Sequence, residues 1–333
     1  MIFSKGSGLN DSVFGKSQEP IRAIIEQGVE AFEQNSLIKE IYNVEASKNF
    51  AERYTIETSL GDFQNVGENG AYPETSIQEG FSKVIEPATW KSRFEVTQEM
   101  IEDAKHSKIK SRANIFTTSY GRTREKYGAS LLAGGTAKSV SIDGVKYDTT
   151  SADGQPMFSQ THKSIAKAAA DQSNLFTGTF ATDFNKILDG AQERMQDFKD
   201  DNGNLLNVAP DTIIIPNSGV LKRRVFAAVG SDKDPQTSTN AMNFQMGLWN
   251  ILVWPYLPKT IGGKPYFFLM DGKFNKDYMC LPWLDRVPLT VKSDIDGNTD
   301  ANIFKGRARF GAGFNNWRCL ALIQDGGTGT SLD

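Results

Sequence analysis

Along residues 83–96 apolar and polar positions alternate: Trp90, Phe94 and Val96 fall on one face, Lys91, Arg93 and Glu95 on the other. A period of two is the spacing of a strand, and residues 52–60 supply a partner arm. Between the arms, residues 61–80 hold four glycines, Pro73 and an Asn69-Gly70 pair, the chemistry of turns rather than of a core. Arms of this length reach roughly 30 Å at about 3.3 Å per residue, so the tip stands far from whatever anchors the base. A two-stranded hairpin is marginal alone in water, and this one needs neighbours.

The pattern that follows has the period of a helix. Thr97 can cap it, Glu99 lies in its first turn, and Met100, Ala104, Phe116, Tyr120, Tyr127 and Leu131 recur mostly at spacings of three, four and seven before Gly134-Gly135 ends it. This predicts a helix over residues 98–133, about 55 Å long at 1.5 Å per residue, with the polar run Lys105-His106-Ser107-Lys108 as the point where it would divide. Ahead of the hairpin, Pro20 opens an amphipathic helix with Ile21, Ile24, Ile25 and Phe32 on one side. Farther on, Phe184, Ile187, Leu188, Ala191, Met195 and Phe198 form another helical stripe, and Ser218 can cap a short helix that includes Lys222. Short apolar runs between turns predict strands at 212–215, 248–254, 266–270, 278–281, 287–291 and 318–323. The Gly-, Ser- and Asp-rich residues 134–174 read as an extended connection with a small hairpin. No repeat of fixed period is present, which excludes a solenoid or propeller.

Composition adds limits rather than a function. A chain of 333 residues with ordinary apolar content has ample core for one large or two ordinary domains, without metal or disulfide help. The formal net charge of −3 argues against a dedicated nucleic-acid binder. Cys280 and Cys319 sit in apolar runs and read as buried free thiols, which fits a reducing compartment. There is no signal-peptide stretch at the start and no run of the eighteen or so apolar residues that a membrane span requires, so a soluble, cytosolically made protein is expected.

Candidate chemistry is sparse. His106 and His162 are the two histidines, with no cysteine near either, so no zinc spacing exists; His106 reads as solvated and His162 as a hydrogen-bonding loop residue. Gly262-Gly263-Lys264 runs into Pro265 and cannot cradle phosphate, and Gly311-Ala312-Gly313 lacks the third glycine of a dinucleotide site. Asp294, Asp296, Asn298 and Asp300 space their oxygens as a calcium loop does. Thr299, however, replaces the turn glycine and Lys305 the closing glutamate, which leaves a polar β-turn. The basic clusters Lys222-Arg223-Arg224 and Arg122, Arg124, Lys126 read as solvated faces. No catalytic residue, metal or cofactor is expected.

An N-terminal arm and helix, an extended hairpin, a long helix and a mixed α/β half, in that order, resemble the HK97-fold major capsid proteins of tailed bacteriophages, particularly Mu-like major head subunits. The blocks that carry the resemblance are Phe63-Gln-Asn-Val66-Gly-Glu68 through Tyr72, Arg93 to Asp103, Met157-Phe-Ser-Gln-Thr-His162, Pro210 to Pro216, Arg307 to Gly311, and Asn316-Trp317-Arg318. Lys163-Ser164 and Asn316 depart from the Mu-like pattern. The resemblance implies an α+β fold in which residues 1–50 form an N-terminal arm and helix and 51–96 an E-loop. Residues 97–173 and 302–333 would form a peripheral domain with its spine helix, and 174–301 an axial domain.

It also implies a function in assembly: hexamers and pentamers closing an icosahedral shell in the virion, built in the host cytoplasm around double-stranded DNA contacted indirectly or non-specifically. Its partners would be further copies, a portal protein, and a separate scaffold or decoration protein, with no membrane. Phe63, Val66, Glu68, Tyr72, Ile77 and Trp90 are the expected subunit contacts of the E-loop. Met100, Phe116, Tyr120, Arg122, Arg124 and Tyr127 are the expected spine-helix residues. The absence of lysine between Gly61 and Ser82 argues against an isopeptide cross-link from the loop tip, and the short stretch before the hairpin argues against a cleaved scaffolding segment. The nearest rival is an encapsulin-type nanocompartment. A soluble hydrolase using His162 with a nearby Asp lacks a nucleophile motif, and a tail-tube protein would be shorter and more uniformly β.

Overall fold

The structure is a computed structural model that describes residues 13–57, 63–68, 70–72, 74, 79–103, 105–165, 171–181, 184–231 and 242–332. The chain begins with α1 (Val13–Gln34), so Pro20 lies inside the helix rather than opening it. Ile21 and Ile25 are buried against the later helix that α1 crosses, and that packing sustains the turns around a residue with no N–H to give. After α2 (Ile38–Ile41) and β1 (Asn43–Ala46), β2 (Glu52–Glu57) pairs antiparallel with β3 (Glu79–Ile85) in a separate two-stranded ribbon. The second arm is not one strand through Val96. Glu86-Pro87 interrupts it, and β4 (Ala88–Val96) joins a different sheet, because proline cannot donate to a ladder.

The long helix is likewise in two pieces, α3 (Gln98–Glu102) and α4 (His106–Ala133), divided at the polar run where Lys105 has ψ of 50°. Residues 134–174 contain the small hairpin β5 (Ser139–Ile142) and β6 (Val145–Asp148), turned at Asp143-Gly144 with both φ angles positive. Then follow β7 (Leu175–Gly178), α5 (Phe184–Gln196), β8 (Thr212–Pro216), α6 (Gly219–Val229), β9 (Asn250–Trp254) and β10 (Tyr266–Met270). The α5 stripe is buried along its length.

No strand forms at residues 278–281. Asp271 caps α7 (Gly272–Asp277) by accepting from the Phe274 N–H, and the chain turns through Met279 at φ 46° before the next strand begins. The remaining strands are β11 (Pro282–Ile295), β12 (Asn302–Ala312), β13 (Leu320–Asp325) and β14 (Thr330–Ser331).

Two main sheets result. One has the order β1-β11-β12-β4, the other β14-β7-β13-β10-β8-β9. Residues 302–333 therefore do not return as one block: β12 completes the four-stranded sheet, while β13 lies between β7 and β10 in the six-stranded one. The larger core covers the six-stranded sheet with α5 and α6 and runs through Tyr127, Trp283 and Phe310 to the other sheet. A smaller core joins α1, α3 and α4 to Val96 and Phe304.

Candidate assembly surfaces

The ribbon β2–β3 is tied down at its base, and Gly80 farther out lies beside Ile165. Lys83, itself buried, donates from Nζ to Asp148 Oδ2 at 2.5 Å and to Thr150 Oγ1 at 2.6 Å, which clamps the ribbon to the end of β6. Burial opposes ionisation of Asp148, but the Lys83 hydrogen bond and the Thr150 donors outweigh it and hold the carboxyl below its usual range. On the other arm Tyr54 donates to Glu45 Oε2 at 2.7 Å; burial first, then that carboxylate, pushes the phenol's pKa up.

At the tip the described apolar side chains stand in solvent. Phe63 and Tyr72 are fully exposed, Val66 and Glu68 exposed, and Ile77 lies outside the described residues. Residues 61–80 carry Asp62, Glu68, Glu74 and Glu79 and no lysine or arginine, so the tip is acidic as well as aromatic. That charge is legible in the sequence once acidic and basic residues are counted within the loop alone.

Trp90 is not part of this loop surface. It sits in β4 and stacks on Phe310 of its own chain, centroids 5.0 Å apart, with Tyr127 edge-on at 5.4 Å. Among the spine residues, Met100 lies in α3 while Phe116 and Tyr127 of α4 face the core. Tyr120 is half-buried against it. Arg124 is not a solvated member of a basic face. It is buried and grips Asp285 with two nitrogens, at 3.0 and 2.8 Å, and Tyr120 Oη at 3.0 Å. Arg122 is exposed.

The outer side of β4 and α4 forms an open groove of about 440 Å³, lined by Arg93, Phe94, Arg112, Ile115, Phe116 and Ser119 among others. Ile115 is exposed there, with Arg93, Arg112 and Glu95 around it; Glu95 pairs with Arg93 at 3.4 Å and its carbonyl oxygen accepts from Arg112, so an apolar floor carries walls of mixed charge with one positive charge in excess.

His162 has a nearby Asp, as a hydrolase would need, but no freedom to act. Nδ1 lies 2.7 Å from Asp153 Oδ2, Nε2 lies 3.1 Å from Asn174 Oδ1, and the ring is buried under Trp317 with centroids 4.2 Å apart. Both nitrogens are engaged and no substrate can reach either. The acidic turn before β12 is also self-satisfied: Lys305 pairs with Asp294 at 2.6 Å, and Asp296 accepts from Asn298 N–H and Thr299 Oγ1. Among the described residues no cluster suited to a metal ion occurs, and no helix is long and apolar enough to cross a membrane.

Comparisons with known proteins agree on one class. A solved chain from Mycobacterium phage Patience superposes with a TM-score of 0.53 at 12% identity, covering 98% of this chain and 91% of that one. The capsid of an empty GTA particle gives 0.51 at 13% identity over 87% and 89%. A virus-like particle from Pyrococcus furiosus gives 0.50 at 12% identity over 92% and 98%. No curated protein sequence matches. These likenesses show the HK97-type fold. The family model described as phage capsid protein matches residues 80–323, most of the chain. With its clamped but uncovered ribbon, its spine helix and its two sheets, this chain belongs to the phage capsid protein family.

Proposed function

We propose that the chain is the major head subunit of a tailed phage, assembling as hexamers and pentamers into an icosahedral shell around double-stranded DNA. The observation that carries this reading is the ribbon: a capsid-family chain holds Phe63 and Tyr72 fully in solvent at the end of an arm clamped at its base. Exposed aromatic surface of this kind is stabilised when an adjacent subunit covers it. The aromatic, acidic tip fits the apolar-floored groove between β4 and α4 of a neighbouring copy, where two arginines outnumber one glutamate. In this arrangement α4 is the spine of a peripheral domain that includes the four-stranded sheet, and the six-stranded sheet with α5 and α6 is the axial domain. The subunit would meet DNA only indirectly or non-specifically, and would work with a portal protein and a separate scaffold or decoration protein in the host cytoplasm. Kinship with Mu-like head subunits in particular is part of the proposal.

Electron microscopy of the purified protein tests the reading. Closed shells of uniform diameter are expected; monodisperse monomers at high concentration would overturn it. The match to a virus-like particle favours, as second reading, a shell of the encapsulin type, and particles that hold cargo protein and no DNA would select it.

A further inference from the structure

Residues 242–248 are folded inside out. Met242 and Phe244 are 86% and 62% exposed and Met246 and Leu248 about half, whereas the alternate residues Asn243 and Gln245 are 5% and 1% exposed. The buried amides hold the segment in place. Asn243 Nδ2 donates to the carbonyl oxygens of Ala228 and Ser231 at the end of α6, at 2.6 and 3.0 Å. Gln245 Nε2 donates to Asp189 and Gln192 of α5, at 2.6 and 3.1 Å, and its Oε1 accepts from Trp249 Nε1 at 2.6 Å. A loop that placed its apolar side chains inward would bury them at no such cost in amide satisfaction. Here hydrogen bonds fix the backbone so that the apolar row faces out.

The helix to whose end Asn243 is bonded, α6, also exposes Val220, Arg223 and Phe226 at every third position along one face. Beside it lies β9, the end strand of the six-stranded sheet. At roughly 200 Å² per large side chain, the exposed fractions of these six apolar residues amount to about 700 Å². That exceeds the few hundred Å² usual for an apolar patch on a monomer and approaches the about 800 Å² that each partner contributes to a stable interface.

We propose that this ridge, residues 242–248 with the outer face of α6, docks onto a second copy of the chain. The inference rests on the capsid reading and adds a contact separate from the ribbon. The contact is head-to-tail. A two-fold arrangement would set the exposed Arg223 and the neighbouring Lys222 of one copy against the same residues of the other, whereas a heterologous contact avoids that repulsion and propagates around a ring.

Replacing Phe244 by the photo-crosslinker benzoylphenylalanine in the full chain, and irradiating particles assembled from mixed isotope-labelled and unlabelled copies, tests the contact. Mixed-isotope cross-linked peptides are expected. The double variant Met242→Asp/Phe244→Asp is expected to give folded, soluble subunits with at least a tenfold lower particle yield. Particles from the parent with no intermolecular cross-link at position 244, or a double variant that assembles at parental yield, would overturn the ridge and leave the capsid reading intact. A parent that remains monomeric would sink both.

Discussion

At the scale of single residues, the pair His162–Asp153 shows how a polar loop residue becomes structural. The orientation of the Asn174 amide is fixed by its neighbours: Oδ1 accepts from the Ser159 N–H, and Nδ2 donates to the carbonyls of Met157 and Leu320. His162 therefore meets an oxygen at each ring nitrogen, one of them from the Asp153 carboxylate. Burial disfavours the Asp153 charge, but His162, Ser151 Oγ and the Gln155 N–H outweigh it, and the carboxyl lies below its ordinary value of 3.8. A carboxylate depressed on folding contributes stability that is fully present above that value and is lost as pH falls through the folded one. Asp153→Asn should accordingly cost about 2 kcal/mol near neutral pH, since it removes the carboxylate that His162, Ser151 and the Gln155 N–H hold in the interior. The difference from the parent should begin to shrink as pH falls below 3.8 and vanish once the folded parent's carboxylate, which protonates lower still, is neutral. Denaturant melts of both proteins from pH 3 to 7 would measure it; an equal deficit at both ends would count against a depressed Asp153 carboxyl. The sequence shows His162 as a hydrogen-bonding loop residue but cannot show these partners, because Asn174 and Trp317 reach it only once β7 and β13 are side by side.

Elements were legible where one period ran unbroken for several turns or residues. The α5 stripe, the strand at Tyr266–Met270 and the Asp143-Gly144 hairpin all stand where the pattern puts them. What the pattern hid were the joints, where a few residues override it. Pro87 parts β3 from β4 although alternation continues past it, and Cys280 and Leu281 are apolar because they fill the core after α7, not because they pair, while Tyr278 stays half exposed. The glycines at 311 and 313, read as a broken dinucleotide motif, are instead small for packing at such a joint. A Cβ on Gly311 would stand 2.9 Å from the Glu86 carbonyl oxygen and 3.0 Å from Pro87 Cα, both backbone atoms that cannot swing aside. Gly311→Ala should therefore destabilise by about 1–3 kcal/mol by overpacking, while Gly297→Ala, whose Cβ would meet nothing, should change little. Thermal melts of the two variants decide the point: equal midpoints would show that the β12 contact with the joint can relax.

At the scale of the whole molecule, the apolar and charged surfaces left uncovered are separate from one another and sit on elements held rigidly at their bases. Lys83 clamps the ribbon, and Asn243 and Gln245 clamp the ridge. This separation lets folding and assembly be perturbed independently. A chain in which residues 63–74 are replaced by a two-residue turn keeps the β2–β3 pairing, the Lys83–Asp148 contact and both cores, so its melting temperature should lie within a few degrees of the parent's. Without Phe63, Val66 and Tyr72 it would have no arm to lay across a neighbour, and the acidic charge opposite the β4–α4 groove would be halved. Soluble subunits and no closed shells are expected by sedimentation and electron microscopy. Shells of parental size and yield from that variant would show that the ribbon tip has no part in holding the subunits together.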